Sequence, residues 1–483
     1  MYLVSATEMW ERFSYYSIAG LLPLLLTSLP ADGGFGWGES DAVRLVGLYS
    51  GLVFAAPGIG GWISSRYLAE QRSISLGGFL IIAGQLGLLA ALVTTKICFS
   101  GYTNSVSSLQ LGHLFVSGEV LEQAGKQLAM DNFGLLYRVQ AFIFVAGLGL
   151  TAIGTGLLKP AISSIVGMLY ADGDNRAEAG FSIFMAGIWI GAFFAKFVSG
   201  TVGETYGWMY GVATAAIGMS TGLLFFTALK KPYLGNRGLT VARQRGKCEE
   251  KATIAIGRAA QRRLFAFSIL SGFTIVYSVA FYQMFGVLNL LIRNDINRLI
   301  GNFEVPATWF LSISTASFVI FIPITLHWFA ARCRKGKAVD VAQKSCMGLI
   351  LLGVAFLILT HAVPDDGTVQ GGYEAMLVVA VAYILFGVAD VFIWPAQIAT
   401  ASAVAPKHLA SFIIGAWYVA IGVGSYLSGL AGSLILKIGI GRGLLATAMV
   451  LFLSATAVLL LRPILIREMS QFGTAAQESR TPT

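Results

Sequence analysis

The sequence predicts an all-α membrane protein with twelve membrane-spanning helices. Of its 483 residues, 56% are hydrophobic and only 12% are charged, whereas a soluble globular protein carries about 25% charged residues. The 57 glycines fit the same class, because small residues let membrane helices approach closely. Stretches with the roughly 20 apolar residues needed to cross a bilayer recur along the whole chain.

The apolar stretches fall into two sets of six. They lie near 11 to 30, 42 to 63, 74 to 96, 138 to 159, 180 to 202 and 207 to 229, and then near 264 to 292, 306 to 329, 346 to 363, 374 to 397, 409 to 435 and 442 to 461. We therefore expect an N-terminal bundle at 1–229 with an external loop at 97–137, a basic linker at 230–262, a C-terminal bundle at 263–462 and a tail at 463–483. Two such halves are typical of the major facilitator fold of secondary transporters.

The loop charges predict the orientation in the membrane. The linker is rich in Lys and Arg, as is the loop after the eighth stretch with Arg332, Arg334 and Lys335. Basic loops stay in the cytoplasm, so both termini are predicted to be cytoplasmic and the protein to lie in the cell (inner) membrane. A basic cytoplasmic face also accounts for the net charge of +9, and we expect the lipid bilayer rather than a nucleic acid as the partner.

Three ionisable residues stand at the start of the first stretch. Glu11 and Arg12 follow Glu8 by three and four positions, so all three lie near one face of a helix. A charge inside hydrocarbon costs about 2.5–3.5 kcal/mol even on a mild scale, so such residues are functional candidates. The spacing predicts a buried, proton-sensitive ion cluster.

Two further charges occupy matching positions in the two halves. Lys159 ends the fourth stretch and Asp390 lies within the tenth. An unpaired aspartate there must be protonated or matched with a cation. We therefore predict that Lys159 and Asp390 pair across the halves as a gate, although Lys159 could also be a lysine that reaches out to the membrane surface. Lys196 has the same two interpretations, as a cavity residue or an outward-reaching one.

No enzyme is predicted. The four histidines are scattered, no HExxH or GxSxG motif occurs, and GTGLLKP is not a phosphate-binding loop. The four cysteines show no metal-binding spacing. We expect no cofactor and no metal, with protons as the coupling ion.

Four motifs in order resemble those of the proton-dependent oligopeptide transporter family, also called the peptide transporter family. EMWERFSYY matches ExxERFxYY, and GTGLLKPAISSIVGMLY is similar to GTGxxKPNISxxxGxLY; FSIFMAGIWIGAF and GVADVFIWP resemble two more family segments. The resemblance implies proton coupling by Glu8, Glu11 and Arg12. It implies that Lys159 contacts that cluster and the peptide carboxylate, and that Asp390 holds the peptide amino group.

The resemblance also places pocket residues, several of which depart from the family pattern. Tyr15 and Tyr16 match. Elsewhere, an arginine is replaced by Ala19 and a glutamate by Tyr282, so both partners of a family salt bridge are missing. At four further positions the family residue differs from the residue here: Trp189 replaces an asparagine, Lys196 a proline, Ser314 another asparagine and Trp394 a serine. The predicted substrate-binding residues are Tyr15, Tyr16, Lys159, Trp189, Tyr282, Ser314, Asp390 and Trp394.

These observations predict a proton-coupled symporter, working as a monomer, that imports di- or tripeptides or peptide-like small molecules by alternating access. The added aromatic residues leave a second possibility, a non-peptide aromatic or organic solute. An uncoupled facilitator or an exporter is a further possibility. A different class of function is also possible: a transporter-derived sensor that binds its ligand without transporting it. The long external loop motivates this hypothesis.

Overall fold

The computed structural model describes residues 1–99, 131–170, 176–239, 258–363, 373–404 and 410–470. These residues are almost entirely helical, apart from turns and a hairpin of two short strands, β1 (Leu299–Ile300) and β2 (Phe303–Glu304). The helices are α1 (Tyr2–Thr27), α2 (Glu39–Tyr67), α3 (Glu70–Phe99), α4 (Asp131–Met168), α5 (Arg176–Phe194), α6 (Gly200–Tyr206), α7 (Trp208–Leu234), α8 (Arg258–Phe281), α9 (Val287–Asp295), α10 (Ala307–Arg334), α11 (Val341–Thr360), α12 (Tyr373–Val404), α13 (Ala410–Ile438) and α14 (Ile440–Ser470).

Eleven segments of the described chain are long and apolar enough to span a membrane. Two of them combine consecutive elements, since α5 continues into α6 and α8 into α9. α1 is the twelfth segment. It is not one of the eleven apolar segments because Glu8, Glu11 and Arg12 interrupt its apolar sequence. Most of its residues are nevertheless buried. The predicted all-helical membrane architecture is confirmed.

The helices extend beyond the predicted apolar stretches. α1 begins at Tyr2 rather than near 11, and α4 already begins at Asp131, inside the predicted external loop 97–137. α7 ends at Leu234 and α14 at Ser470. Hydropathy locates the hydrocarbon-facing part of a helix, whereas backbone hydrogen bonds continue it into the polar zone. Residues 100–130, most of the linker (240–257) and the tail from 471 lie outside the described residues.

Two groups of helices meet along α2 and α13. Within the first group α3 packs on α4 and α1 on α7, and within the second α11 packs on α12 and α14. Between the groups, a Cβ added at Gly47 of α2 would lie 2.6 Å from the Cα of Gly429 of α13. Because neither residue has a side chain, the two backbones come into direct contact, as small residues allow in membrane bundles.

Two segments change helical geometry where they face each other. Between α5 and α6 the backbone forms a π-helical turn at Ala195–Ser199, and between α8 and α9 it forms a 3-10 turn at Tyr282–Phe285. A π turn adds a residue and re-aims the side chains around it. Lys196 lies in the first turn and Phe285 in the second, with the ammonium 5.6 Å from the ring centroid.

The bundle has two distinct ends. α1 begins and α14 ends on the same side of the bundle, because the chain crosses the bundle twelve times. We call this side the terminal end and the opposite side the distal end. At the distal end the two groups are joined by hydrogen bonds. The Asn289 amide donates to the Gly20 carbonyl at 2.8 Å, and the Arg293 guanidinium donates to the Leu24 carbonyl at 2.7 Å. The distal end is therefore closed in this conformation.

Candidate functional site

The predicted ion cluster forms on α1. Arg12 makes two hydrogen bonds to the Glu11 carboxylate, one from Nε to Oε2 and one from Nη2 to Oε1 at 2.7 Å. Its Nε also lies 3.4 Å from Oε1 of Glu8. All three side chains are buried. A charge-assisted, two-point contact is the strongest arrangement available to this pair, so Glu11 holds Arg12 while Glu8 is the more weakly bound carboxylate.

The hydrogen-bond partners of the two carboxylates also differ. Thr155 of α4 donates its hydroxyl to Oε1 of Glu11 at 3.0 Å. Both oxygens of Glu8 are buried and accept no hydrogen bond from the residues that the structure describes. A buried carboxylate without hydrogen bonds is costly when ionised. Glu8 is therefore the member of the cluster that gains most from taking up a proton or a new cationic partner.

Lys159 lies beside this cluster without touching a carboxylate. Its ammonium is 4.8 Å from the ring centroid of Tyr418 and 5.3 Å from that of Phe54. Glu8 and Glu11 are near enough for their charges to act on it. Contacts of a cation with ring faces stabilise it only modestly. Within the described ranges, Lys159 thus remains a cation with no carboxylate in contact, and it lies next to Glu8, a carboxylate without a hydrogen bond there.

Asp390 has different neighbours from those predicted. Its Oδ1 accepts a hydrogen bond from the Tyr277 hydroxyl at 3.1 Å, and Lys196 is the cation whose charge acts on it. The predicted Lys159–Asp390 ion pair is not formed in this conformation. Phe54 adjoins both Lys159 and Trp394, so aromatic rings lie near the ammonium where a counter-charge was expected. The gate remains a prediction for another conformation.

Most predicted pocket aromatics lie close to one another. Tyr15 packs on Phe54 with ring centroids 6.0 Å apart, and Phe54 packs on Tyr282 at 5.4 Å. Tyr16 stacks on Phe285 at 6.0 Å. The rings come from α1, α2 and the 3-10 turn, and so from both groups of helices. They form a shared aromatic lining between the groups.

The other predicted residues are more dispersed. Trp189 lies against Phe318 at 3.8 Å between centroids, and its buried indole Nε1 has no hydrogen-bond partner among the described residues. Trp394 packs against Trp417 at 5.1 Å. Ser314 lies where α10 meets α12, with its carbonyl oxygen against Gly387. The next residue, Thr315, is the one that reaches a charged side chain.

Lys196 is the site residue that the sequence left undecided. It is only 3% exposed, and its ammonium donates to the Leu311 carbonyl at 3.1 Å and to the Thr315 hydroxyl at 2.5 Å, both across the interface in α10. Its ammonium also lies 5.0 Å from the centroid of Tyr16. The outward-reaching interpretation is therefore wrong. Its position in an apolar stretch marked it as a candidate. The sequence does not reveal the π turn, however, so it did not show whether the side chain points into the bundle or outward.

Tyr277 and Thr155 were also not assigned to the site from the sequence. Each supplies a hydroxyl to a predicted carboxylate, and an isolated hydroxyl in an apolar helix gives no distinctive pattern. Within the described ranges, no group of three or more His, Cys, Asp or Glu could hold a metal ion.

Comparison with known proteins supports the class that this fold and site suggest. A family model described as the POT family matches residues 74–238 and 243–466. The peptide transporter YePEPT of Yersinia enterocolitica is 25% identical over 88% of this chain and 86% of its own length. The di-/tripeptide transporter of Lactococcus lactis is 34% identical over 44% of this chain.

Solved structures show the same fold. A crystal structure of a peptide transporter POT with sulfate superimposes with a TM-score of 0.78 at 21% identity, covering 97% of this chain and 95% of that one. A POT family transporter with 5-aminolevulinic acid gives 0.76 at 19% identity, covering 96% of each chain. The predicted major facilitator fold is confirmed.

The fold and the buried charges between its halves thus define a multi-pass membrane transporter rather than an enzyme. The chain belongs to the POT family, as its four motifs indicated.

Proposed function

We propose that this protein is a proton-coupled symporter that imports di- or tripeptides, or peptide-like solutes, by alternating access. The observation that carries the proposal is the proximity of Glu8, a buried carboxylate that accepts no hydrogen bond from the described residues, to Lys159, a cation that contacts no carboxylate among them. The peptide transporters among its relatives support the substrate class.

The cluster suggests how a proton changes the site. With Glu8 protonated, Arg12 stays bound to Glu11, and Lys159 has no full counter-charge nearby. With Glu8 ionised, its charge attracts Lys159 on α4 toward α1. Both helices line the interface between the halves, so the proton alters the electrostatic free energy of that interface. A switch of this kind needs a bistable element, and two rocking bundles provide one.

The closed distal end supports alternating access. Hydrogen bonds such as Asn289 to Gly20 and Asn294 to Glu39 join the halves there. Alternating access requires a second conformation in which these contacts open and the terminal end closes, with Lys159 and Asp390 as its gate pair. We place the terminal end in the cytoplasm because Lys230, Lys231 and Arg334 lie there. We further propose that the monomer is the transporting unit.

The proposal is tested by uptake in proteoliposomes with radiolabelled alanyl-alanine and an imposed inward proton gradient. We expect accumulation that collapses when an uncoupler removes the gradient. Glu8→Gln should abolish gradient-driven accumulation yet keep exchange of labelled for unlabelled peptide. Glu374→Gln changes an exposed carboxylate at the start of α12 and serves as the matched control. Uptake independent of the gradient would contradict the coupling.

A second candidate substrate is a small aromatic or organic solute. The rings of Tyr16, Tyr282 and Phe285 supply apolar contact surface, and Trp189 adds a buried indole N–H with no partner in the described part of the chain. Competition of labelled peptide uptake by unlabelled peptides and by aromatic carboxylates separates the two classes. Stronger inhibition by the aromatic carboxylates would favour the second.

The hypothesis that the protein is a sensor depends on the external loop, most of which lies outside the described residues. Ligand binding to the purified protein without flux into vesicles would favour it over transport.

A further inference from the structure

Lys196 is a buried cation placed between the two halves. Its side chain leaves the π turn of the fifth segment and passes α1 at Gly20, where an added Cβ would be 3.8 Å from its Cγ. Its ammonium then reaches α10, where the Leu311 carbonyl and the Thr315 hydroxyl accept two of its three N–H groups. Four helical segments thus meet around a single positive charge, since the ring of Phe285 also faces it.

The partners of Lys196 leave its charge uncompensated. A carbonyl, a hydroxyl and two aromatic faces are neutral groups, and no carboxylate contacts the ammonium in the described part of the chain. The third N–H has no described acceptor. Burying a charge without a counter-ion is costly, so this ammonium is prepared to receive an anion.

Asp390 is the complementary group on the opposite half. It is 4% exposed, its Oδ1 accepts one hydrogen bond from the neutral Tyr277 hydroxyl, and no cation of the described chain contacts it. Lys196 and Asp390 are nonetheless close enough for each charge to act on the other. They are therefore two opposite buried charges, one from each half, held apart rather than paired.

We propose that Lys196, rather than Lys159, receives the carboxylate of a zwitterionic substrate whose ammonium group is held by Asp390. The assignment rests on the proposed transport of peptides or peptide-like solutes. A zwitterion placed between the two groups neutralises both charges at once, and its middle part packs against Tyr16 and Phe285. Lys159 is then left to the Glu8–Glu11–Arg12 cluster, so substrate binding and proton response use different cations.

This arrangement also accounts for the charges missing along the same interface. Ala19 and Tyr282 are both buried and uncharged. Ala19 precedes Gly20, along which the Lys196 stem runs, and Tyr282 starts the 3-10 turn that ends at Phe285. A positive side chain at position 19 would bring a second cation close to Lys196. The lysine in the π turn therefore supplies the one positive charge that this part of the interface contains in the described chain.

The test compares a ligand with and without its carboxylate. Binding of alanyl-phenylalanine and of its C-terminal amide is measured on the purified full-length protein by tryptophan fluorescence. We expect the wild type to favour the acid by about 10- to 100-fold, as a charge-assisted hydrogen bond implies. Lys196→Gln should reduce this preference to within about threefold, while Lys196→Arg should retain most of it.

Three further variants make the result decisive. Lys196→Met is the second neutral variant, because the adjoining rings of Tyr16 and Phe285 accept an apolar side chain; amide binding shows that a variant is folded. Lys159→Gln tests the competing cation, and Lys230→Gln is the control for a lysine away from the interface.

The outcomes separate the two proposals. A preference that survives Lys196→Gln or Lys196→Met, or that is lost in Lys159→Gln instead, overturns the role of Lys196 while leaving peptide transport intact. A wild type that binds neither probe contradicts the proposed peptide function itself, and the assignment of Lys196 falls with it.

Discussion

Glu204 of α6 binds Arg298 across the interface, with 3.1 Å between the carboxylate Oε2 and the guanidinium Nη1. The same carboxylate accepts backbone N–H groups of Ala307 at 3.0 Å and Thr308 at 3.3 Å. These belong to the first turn of α10, whose N–H groups have no partners within the helix and carry its positive dipole end. One carboxylate of the first group of helices thus holds a guanidinium and a helix N-terminus of the second.

We predict that Glu204→Gln weakens closure of the distal end. Hydrogen bonds to charged groups stabilise by about 1.5–3 kcal/mol each, and the variant keeps the shape but removes the charge. Spin labels at Leu29 and Ile300, introduced after the four native cysteines are replaced, should report a larger population of long distances by pulsed electron resonance.

The control for this prediction is Glu304→Gln. Glu304 contacts Arg298 at 2.6 Å but is 62% exposed, and an exposed ion pair contributes about 0–1 kcal/mol. The Glu304 variant should leave the distance distribution nearly unchanged. Equal effects of the two variants would show that Glu204 has no special part in closure.

We predict that the two glutamates of α1 differ in their effect on stability. Glu11→Gln removes the carboxylate that binds Arg12 at two points and leaves the buried guanidinium with only the longer contact to Glu8. Breaking a buried pair costs about 3–5 kcal/mol. Glu8→Gln removes only the longer contact of 3.4 Å and should cost far less. Thermal unfolding in detergent measures both, and a larger loss for Glu8→Gln would contradict the assigned roles.

Gly47 is predicted to be essential for the contact between α2 and α13. Gly47→Ala places a Cβ 2.6 Å from the Gly429 Cα, so the two helices must separate. We expect a lower unfolding temperature and slower transport. Gly149→Ala is the matched control, because nothing lies within 4 Å of the added Cβ and alanine favours the helix by about 1 kcal/mol. Similar losses in both variants would argue against the close approach as the cause.

We predict that Asp390→Asn lowers affinity selectively for ligands with a free amino group. The variant keeps a side chain that can bond Tyr277 but loses the negative charge, so affinity for alanyl-phenylalanine should fall about tenfold or more. Affinity for the N-acetylated peptide, which has no ammonium group, should change little. Competition binding measures the ratio, and equal losses for both ligands would indicate a general disturbance of the pocket.

Some features of this site were accessible to sequence reasoning because they are local. Glu8, Glu11 and Arg12 belong to one helix turn, so their spacing alone predicted the cluster that the structure shows. The same holds for eleven of the membrane segments in the described chain, since hydropathy over about 20 residues indicates whether a helix can span a bilayer. The helix ends were less accurate, because the helices continue outside the apolar stretches.

Other features depend on contacts between distant segments. The sequence suggested Lys159 for Asp390 from the symmetry of the two halves, whereas in this conformation Tyr277 bonds Asp390 and Lys196 is the cation that acts on it. That outcome follows from the π turn at Ala195–Ser199, which aims Lys196 toward α10, and no local pattern specifies where such a turn will face. Thr155 is likewise a partner that no local pattern predicts, since it lies 144 positions from Glu11, to which it donates a hydrogen bond.

By itself, then, the sequence determined the membrane class, the apolar membrane segments and the charged cluster of α1, because each follows from hydropathy or from spacing within a single helix. Only the tertiary structure decided which buried charges meet, because the distance between side chains on different helices is set by how those helices pack. For Lys196 that difference is decisive: an undecided lysine in an apolar stretch became a cation between the two halves.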